Sequence, residues 1–156
     1  MNIRLQLIKK ERIMIDFDED FPEFSFNEKI ANISLIHLES MQPMTTTSTL
    51  DEFPGSFAIG VDVDLFNIKS NRKYQIQVFS QNDKQFEEQL VHVSNVCVPE
   101  EEFIIYDKGY GISIGSFPFN FTAQFEGGYK ISFRLYDIDA RKELDEFNRY
   151  IYLYKR

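Results

Sequence analysis

Apolar side chains recur at every second position along most of this chain. Phe57, Ile59, Val61, Val63 and Leu65 alternate with Ala58, Gly60, Asp62 and Asp64. A period of two places the first set on one face of a strand and the second on the other. The same alternation runs through Phe117, Phe119 and Phe121, and again through Tyr129, Ile131, Phe133 and Leu135. Between those two runs stand Gly127 and Gly128, which reads as a turn joining two strands.

Further strands follow from the same rule. Ile3, Leu5 and Leu7 alternate, as do Ile13, Ile15 and Phe17, and the charged residues between them predict a hairpin turn. Residues 30–38 read as a largely buried strand that includes His37. Tyr74, Ile76 and Val78 begin a strand expected to pair with the one before it, across a turn at 67–72. A second turn is expected over Gln81, Asn82, Asp83 and Lys84. Residues 86–98 mix helical spacing (Phe86, Leu90) with strand-forming valines and stay ambiguous. Residues 103–106 and 112–121 read as strands, with Gly115 as a candidate bulge, and the chain closes on strands at 129–136 and 149–154.

The threonine run 45–49, flanked by Pro43 and Pro54, reads as part of a long loop over 41–55, with an edge strand as the alternative. Eight to ten strands with closely spaced turns predict an all-β, single-domain antiparallel sandwich over residues 1–156. Immunoglobulin-like and jelly-roll forms both fit, with at most one short helix.

Composition supports that picture. Hydrophobic residues make up 43% of 156, with sixteen Phe and eight Tyr, enough to fill the space between two sheets. A net charge of −8 argues against direct contact with a nucleic-acid backbone, which demands a basic footprint. The N-terminal run has charges interrupting each apolar stretch, so neither a signal peptide nor a membrane span is expected, and a cytoplasmic protein is the default. A single cysteine, Cys97, excludes an internal disulfide, and its valine neighbours suggest a buried small hydrophobe.

Candidate chemistry is thin. Gly111, Ser113 and Gly115 match the G-x-S-x-G nucleophile elbow. That elbow requires a strand, a sharp turn and a helix, with a histidine following in the chain. Here Pro118 and alternating phenylalanines follow, and both His37 and His92 come earlier, so the match reads as coincidence. A nucleophilic site built from His37, His92 and Cys97 is the remaining cysteine-based alternative. Asp16, Asp18, Glu19 and Asp20, and the Asp62/Asp64 pair, leave calcium as the one cofactor still open, although neither stretch fits a calcium-loop motif.

Tyr150, Tyr152 and Tyr154 form an aromatic stripe, opposite Ile151 and Leu153, suited to sugars, bases or a protein surface. The sequence therefore favours a non-enzymatic protein-binding module. Its contact residues are expected among Tyr150, Tyr152, Tyr154, Asp62 and Asp64, and a homodimer through a sheet edge is left open. The first alternative is an acidic inhibitor, of the kind small phage or mobile-element proteins supply, that occupies a nucleic-acid-binding site on another protein. The second is an enzyme or metal-binding domain whose site has no local signature.

Overall fold

The computed structural model describes residues 27–156 and folds them into two five-stranded sheets packed as a sandwich. The first sheet contains β1 (Lys29–His37), β2 (Gln42–Pro43), β4 (Gly55–Lys69), β7 (Ile105–Asp107) and β8 (Tyr110–Ala123), in spatial order β2-β1-β4-β8-β7. The second contains β3 (Thr47–Leu50), β5 (Tyr74–Asn82), β6 (Gln89–Val96), β9 (Gly127–Asp137) and β10 (Lys142–Lys155), in order β3-β10-β9-β5-β6. A 3-10 turn at Glu100–Glu102 is the one helical element among the described residues. The all-β sandwich expected from the alternation is therefore the fold. The hairpin expected over residues 3–17 and the acidic run 16–20 lie outside the described residues.

The inner faces are the alternating apolar sets. Ile59, Val61, Val63 and Leu65 of β4 are buried, as are Ile76 and Val78 of β5, Ile131, Phe133 and Leu135 of β9, and Ile151 and Leu153 of β10. Each such side chain contributes about 1.5–3 kcal/mol when removed from water.

Strand partners differ from the sequence expectation at two places. β4 and β5 do not pair, and neither do β8 and β9. In each case the chain crosses from the first sheet to the second, and β5 lies between β6 and β9. Period two fixes which face a side chain takes but not which strand lies alongside.

The crossovers share one device. A tyrosine at or near the start of the next strand reaches back to the backbone just before it. The Tyr74 hydroxyl accepts the Lys69 N–H at 2.9 Å. The Tyr129 hydroxyl donates to the Phe125 carbonyl and accepts the Phe125 N–H. Burial pushes both phenols above their ordinary pKa, against the backbone hydrogen bonds. The first crossover is tied further by Arg72, whose guanidinium donates to both oxygens of Asp137 at 2.7–3.1 Å. Asp137 also accepts the Asp139 and Ala140 N–H groups and so shapes the β9–β10 turn. Burial works against its ionisation, but Arg72 and those amides outweigh it and hold the carboxyl below its usual range.

Several local expectations need correction. Residues 41–55 are not simply loop: the threonine run supplies β3, which pairs parallel to the end of β10, the one parallel pairing among the described strands. Threonine's strand preference and the free side of β10 together decide this. Gly115 keeps register opposite Val63, and the bulge falls on β4 between Leu65 and Ile68, where Asn67 has a φ of 61°. β4 consequently runs on to Lys69, past the expected start of the turn. The ambiguous segment holds a strand, β6, with Phe86 outside it. Cys97 is exposed rather than buried, because it follows the end of β6.

Candidate functional site

The outer face of the second sheet is built from the residues that alternate with the core. On β9 these are Gly128, Lys130, Ser132 and Arg134. On β10 they lie opposite Tyr152, Tyr150, Asn148 and Glu146 respectively. Gln81 of β5 lies beside Lys130. Because Gly128 has no side chain, the Asp83 side chain can lodge over it, beside Tyr152. Tyr150 and Tyr152 stand 64% and 52% exposed, in contrast to the buried Ile151 and Leu153 that alternate with them.

The turn following β5 rises over this floor as a wall. The Asp83 N–H donates to the Gly128 carbonyl at 2.9 Å, and the Gly128 N–H donates to Asp83 Oδ2 at 3.0 Å. Asn82 Oδ1 accepts the Lys84 N–H, and Lys84 Nζ donates to the Glu126 carbonyl at 2.8 Å. Gln81 Nε2 donates to the carbonyls of Gln85 and Phe86. Gly127 sits at φ 133°, and a Cβ there would meet Asp83 Oδ1 at 2.7 Å, so this position requires glycine. Phe86 stands at the rim, fully exposed.

Floor and wall enclose a groove of about 630 Å3, with Tyr150, Tyr152, Lys130 and Thr46 on one side and Asp83 to Phe86 on the other. Its surface is mainly apolar, because the wall's amides and charges are committed to one another. A concave surface of this kind has room for an apolar or aromatic group.

Beyond the groove the same face holds a charged cluster. Glu88 pairs with Lys130 at 3.0 Å and with Arg134. Arg134 pairs also with Glu146 at 2.8 Å and stacks 4.1 Å above the centre of the Phe79 ring. Lys130 foremost, then Arg134, holds the Glu88 carboxyl below its usual range despite partial burial. Ser132 is wholly buried here, and its hydroxyl has no hydrogen-bond partner.

The sequence-predicted residues separate. Tyr150 and Tyr152 line the groove, while Tyr154 lies farther along, opposite Thr49 of β3. Asp62 and Asp64 sit on the outer face of the first sheet, across the sandwich, opposite Ser34 and Asn32 of β1. The tyrosines and the aspartates therefore do not form one surface. Among the described residues no group of three or more His, Cys, Asp or Glu side chains is placed to hold a metal ion, and Asp62 and Asp64 have no third carboxylate beside them. Asp16 to Asp20 lie outside the described residues.

Gly111, Ser113 and Gly115 all fall within β8, in register with β4, so the turn and helix of a nucleophile elbow do not follow Ser113. Gly111 has a packing reason, since a Cβ there would run into the Phe103 ring. His37 stacks on Phe57 at 5.2 Å in the first sheet, and His92 of the second stacks on Phe117 at the same distance. Neither geometry brings them together with Cys97. Of the acid clusters, Asp145 pairs with Lys29, and Glu143 and Glu146 pair with Arg134. Sequence reasoning missed Lys130, Glu88 and the 82–86 wall as site elements. The turn itself was legible, but its lodging over β9 and β10 depends on strand order.

No family model matches the chain, and no curated protein matches it. Among solved structures it is similar to the C-terminal domain of wzt, with TM-score 0.52 and 9% identity over 96% of this chain and 86% of that one. It is also similar to part of a Bacteroides uniformis β-glucuronidase, with TM-score 0.48 and 8% identity over 87% of this chain and 17% of that one. The CARDB domain of the PF1109 protein from Pyrococcus furiosus gives TM-score 0.44 and 12% identity over 86% of this chain and 100% of that one. The chain thus spans less than a fifth of the glucuronidase's length. At these identities the likeness concerns the fold alone. Among the described residues no helix is long and apolar enough to cross a membrane.

Proposed function

We propose that this protein is a non-catalytic binding module that grips a protein partner in the tyrosine-floored groove. The observation behind this reading is the pairing of exposed Tyr150 and Tyr152 with the fully exposed Phe86 around a single apolar depression. Aromatic anchors in a concave setting are the usual source of binding energy at protein interfaces, because they bury large area at little rotamer cost. The hydrogen-bonding of Asp83 and Lys84 into the wall supports binding over catalysis, since these groups stabilise the turn and do not converge on a point in the opening.

The test is comparative capture from the native cell. The wild-type chain, a Tyr150→Ala/Tyr152→Ala variant and an Asp62→Ala/Asp64→Ala variant are each used as bait and washed at low and high salt. The expected result is a partner held at high salt by the wild type and the aspartate variant, and weakened about 30-fold or more in the tyrosine variant. Unchanged capture by the tyrosine variant overturns the groove. A nucleic-acid-handling partner shed by salt from all three baits transfers the reading to the acidic inhibitor, whose attraction is electrostatic and screened.

A further inference from the structure

Phe86 is out of place where it stands. It is 101% exposed, against 64% for Tyr150 and 52% for Tyr152, so its ring packs against nothing. A lone exposed apolar side chain is ordinary. One on the lip of a mainly apolar groove, with Tyr150 and Tyr152 on the other side, is not. Loop tips are usually filled by Gly, Pro, Asn, Asp or Ser, each of which serves the turn. A phenyl ring serves no turn, and in water it forgoes the burial that the groove beside it offers.

The chain that carries this ring is fixed on both sides. Before it, the Gln85 N–H donates to the Asn82 carbonyl at 3.0 Å. Gln81 Nε2 donates to the carbonyls of Gln85 and Phe86 at 3.2 and 3.0 Å. After it, Glu88 pairs with Lys130 at 3.0 Å, and Lys130 is itself part of the groove. The ring therefore turns about a point anchored at the rim. Rotation about the Cα–Cβ bond, from one staggered position to another, carries it several ångströms and breaks none of these contacts. The groove, at about 630 Å3, has several times the volume of one phenyl group. A ring settling on the tyrosines gains burial and the offset or edge-on contact that aromatic rings prefer. What opposes it is the loss of side-chain freedom.

We infer that Phe86 is a lid: in the free protein its ring turns inward onto Tyr150 and Tyr152 and occupies the groove until a partner's group displaces it. The arrangement with the ring in solvent is the open one. Closure makes the chain compete for its own site, so a partner's apparent affinity falls with the fraction of molecules that are open. That regulatory role rests on the groove being the binding site. The movement does not, and it is measured with no partner present.

The test reads the free full chain by fluorescence and NMR. The sequence has no tryptophan, so Phe86→Trp introduces a single reporter. Its emission is expected to the blue of a hydrated indole, with acrylamide quenching about two-fold or more weaker. Glu87→Trp, at an exposed position outside the groove, is expected to remain fully quenchable. Adding Tyr150→Ala/Tyr152→Ala to Phe86→Trp removes the floor and should restore full quenching. The native ring is read separately: the ring-proton signals of Tyr150 and Tyr152 should move when Phe86→Leu removes the phenyl ring current. All these positions are exposed, so unchanged melting temperatures show that the fold is kept. A hydrated indole beside tyrosine signals indifferent to Phe86→Leu overturns the inference. Indole shielding that survives the loss of both tyrosines overturns it too. A groove that closes in this way yet captures no partner supports the lid and refutes the binding reading.

Discussion

The outer faces of the two sheets obey the same alternation and come out as different surfaces. On the first sheet, β4 presents Ala58, Gly60, Asp62 and Asp64, and its neighbours add Ser34, Ser116 and Asn120. Most of these side chains are short and Asp62 stands exposed, although Ile36 and Ile114 share the face. On the second sheet, Phe79, Lys130, Arg134 and Glu146 are long enough to reach across strands, and Glu88 folds back to join them. The first face is solvated sheet. The second is a small outer layer with a groove beside it. What separates them is side-chain reach: short polar groups meet water, whereas long ones can satisfy one another and bury the residue beneath, as they do over Ser132.

Five substitutions sharpen this contrast. The largest effect is expected from Arg134→Ala, which removes the stacking on Phe79 and strands Glu88 and Glu146. It should cost about 2 kcal/mol in a denaturant melt. A loss no larger than that of Asp62→Ala would reduce the layer to decoration.

Glu88→Gln should cost about 1 kcal/mol at neutral pH, since a charged hydrogen-bonded pair becomes a neutral one. It should also change the acid limb. In the wild type the carboxyls of Glu88 and Asp137 are held below their usual range when folded. Their contribution is therefore complete above the unfolded values near ~4 and is lost as pH falls through the lower folded values. The variant keeps only the Asp137 share, so its stability should fall less steeply with acid. Identical slopes would show that Glu88 is not linked to folding.

Smaller still, Ser132→Ala removes a buried hydroxyl that has no partner, and should be neutral or stabilising by up to about 1 kcal/mol. Clear destabilisation would mean that the hydroxyl is bonded in solution. Last, Asp62→Ala and Asp64→Ala, measured by thermal melting, should each stay within about 0.5 kcal/mol of wild type. A larger loss would mean that the first face, too, has a built interaction.

The core was readable because Ile59, Val61, Val63 and Leu65 needed only period two to share a face. The outward tyrosines of β10 were readable for the same reason, since Ile151 and Leu153 had to point in. The groove was not readable as a whole. Tyr150 and Tyr152 were visible as a stripe, but Lys130 belongs to β9 and Asp83 to the turn after β5, and neither carries a local sign of meeting β10. The Asp62/Asp64 pair had equal standing in the sequence and proved to lie on the opposite side of the sandwich. A clue to the crossovers did exist: Tyr74 and Tyr129 each stand at or near the start of a strand, four or five residues after a backbone group that their hydroxyls then bind.

Alternation by itself determined that this chain is a β-sandwich and which side chains fill it, because strand geometry converts spacing into facing without regard to neighbours. Tertiary structure decided which strands lie side by side. Pairing is made by backbone groups that every residue has in common, so it depends on where the crossovers carry the chain. That choice placed the 82–86 wall over Tyr150 and Tyr152, set β3 parallel to β10, and put β6 last in its sheet among the described strands.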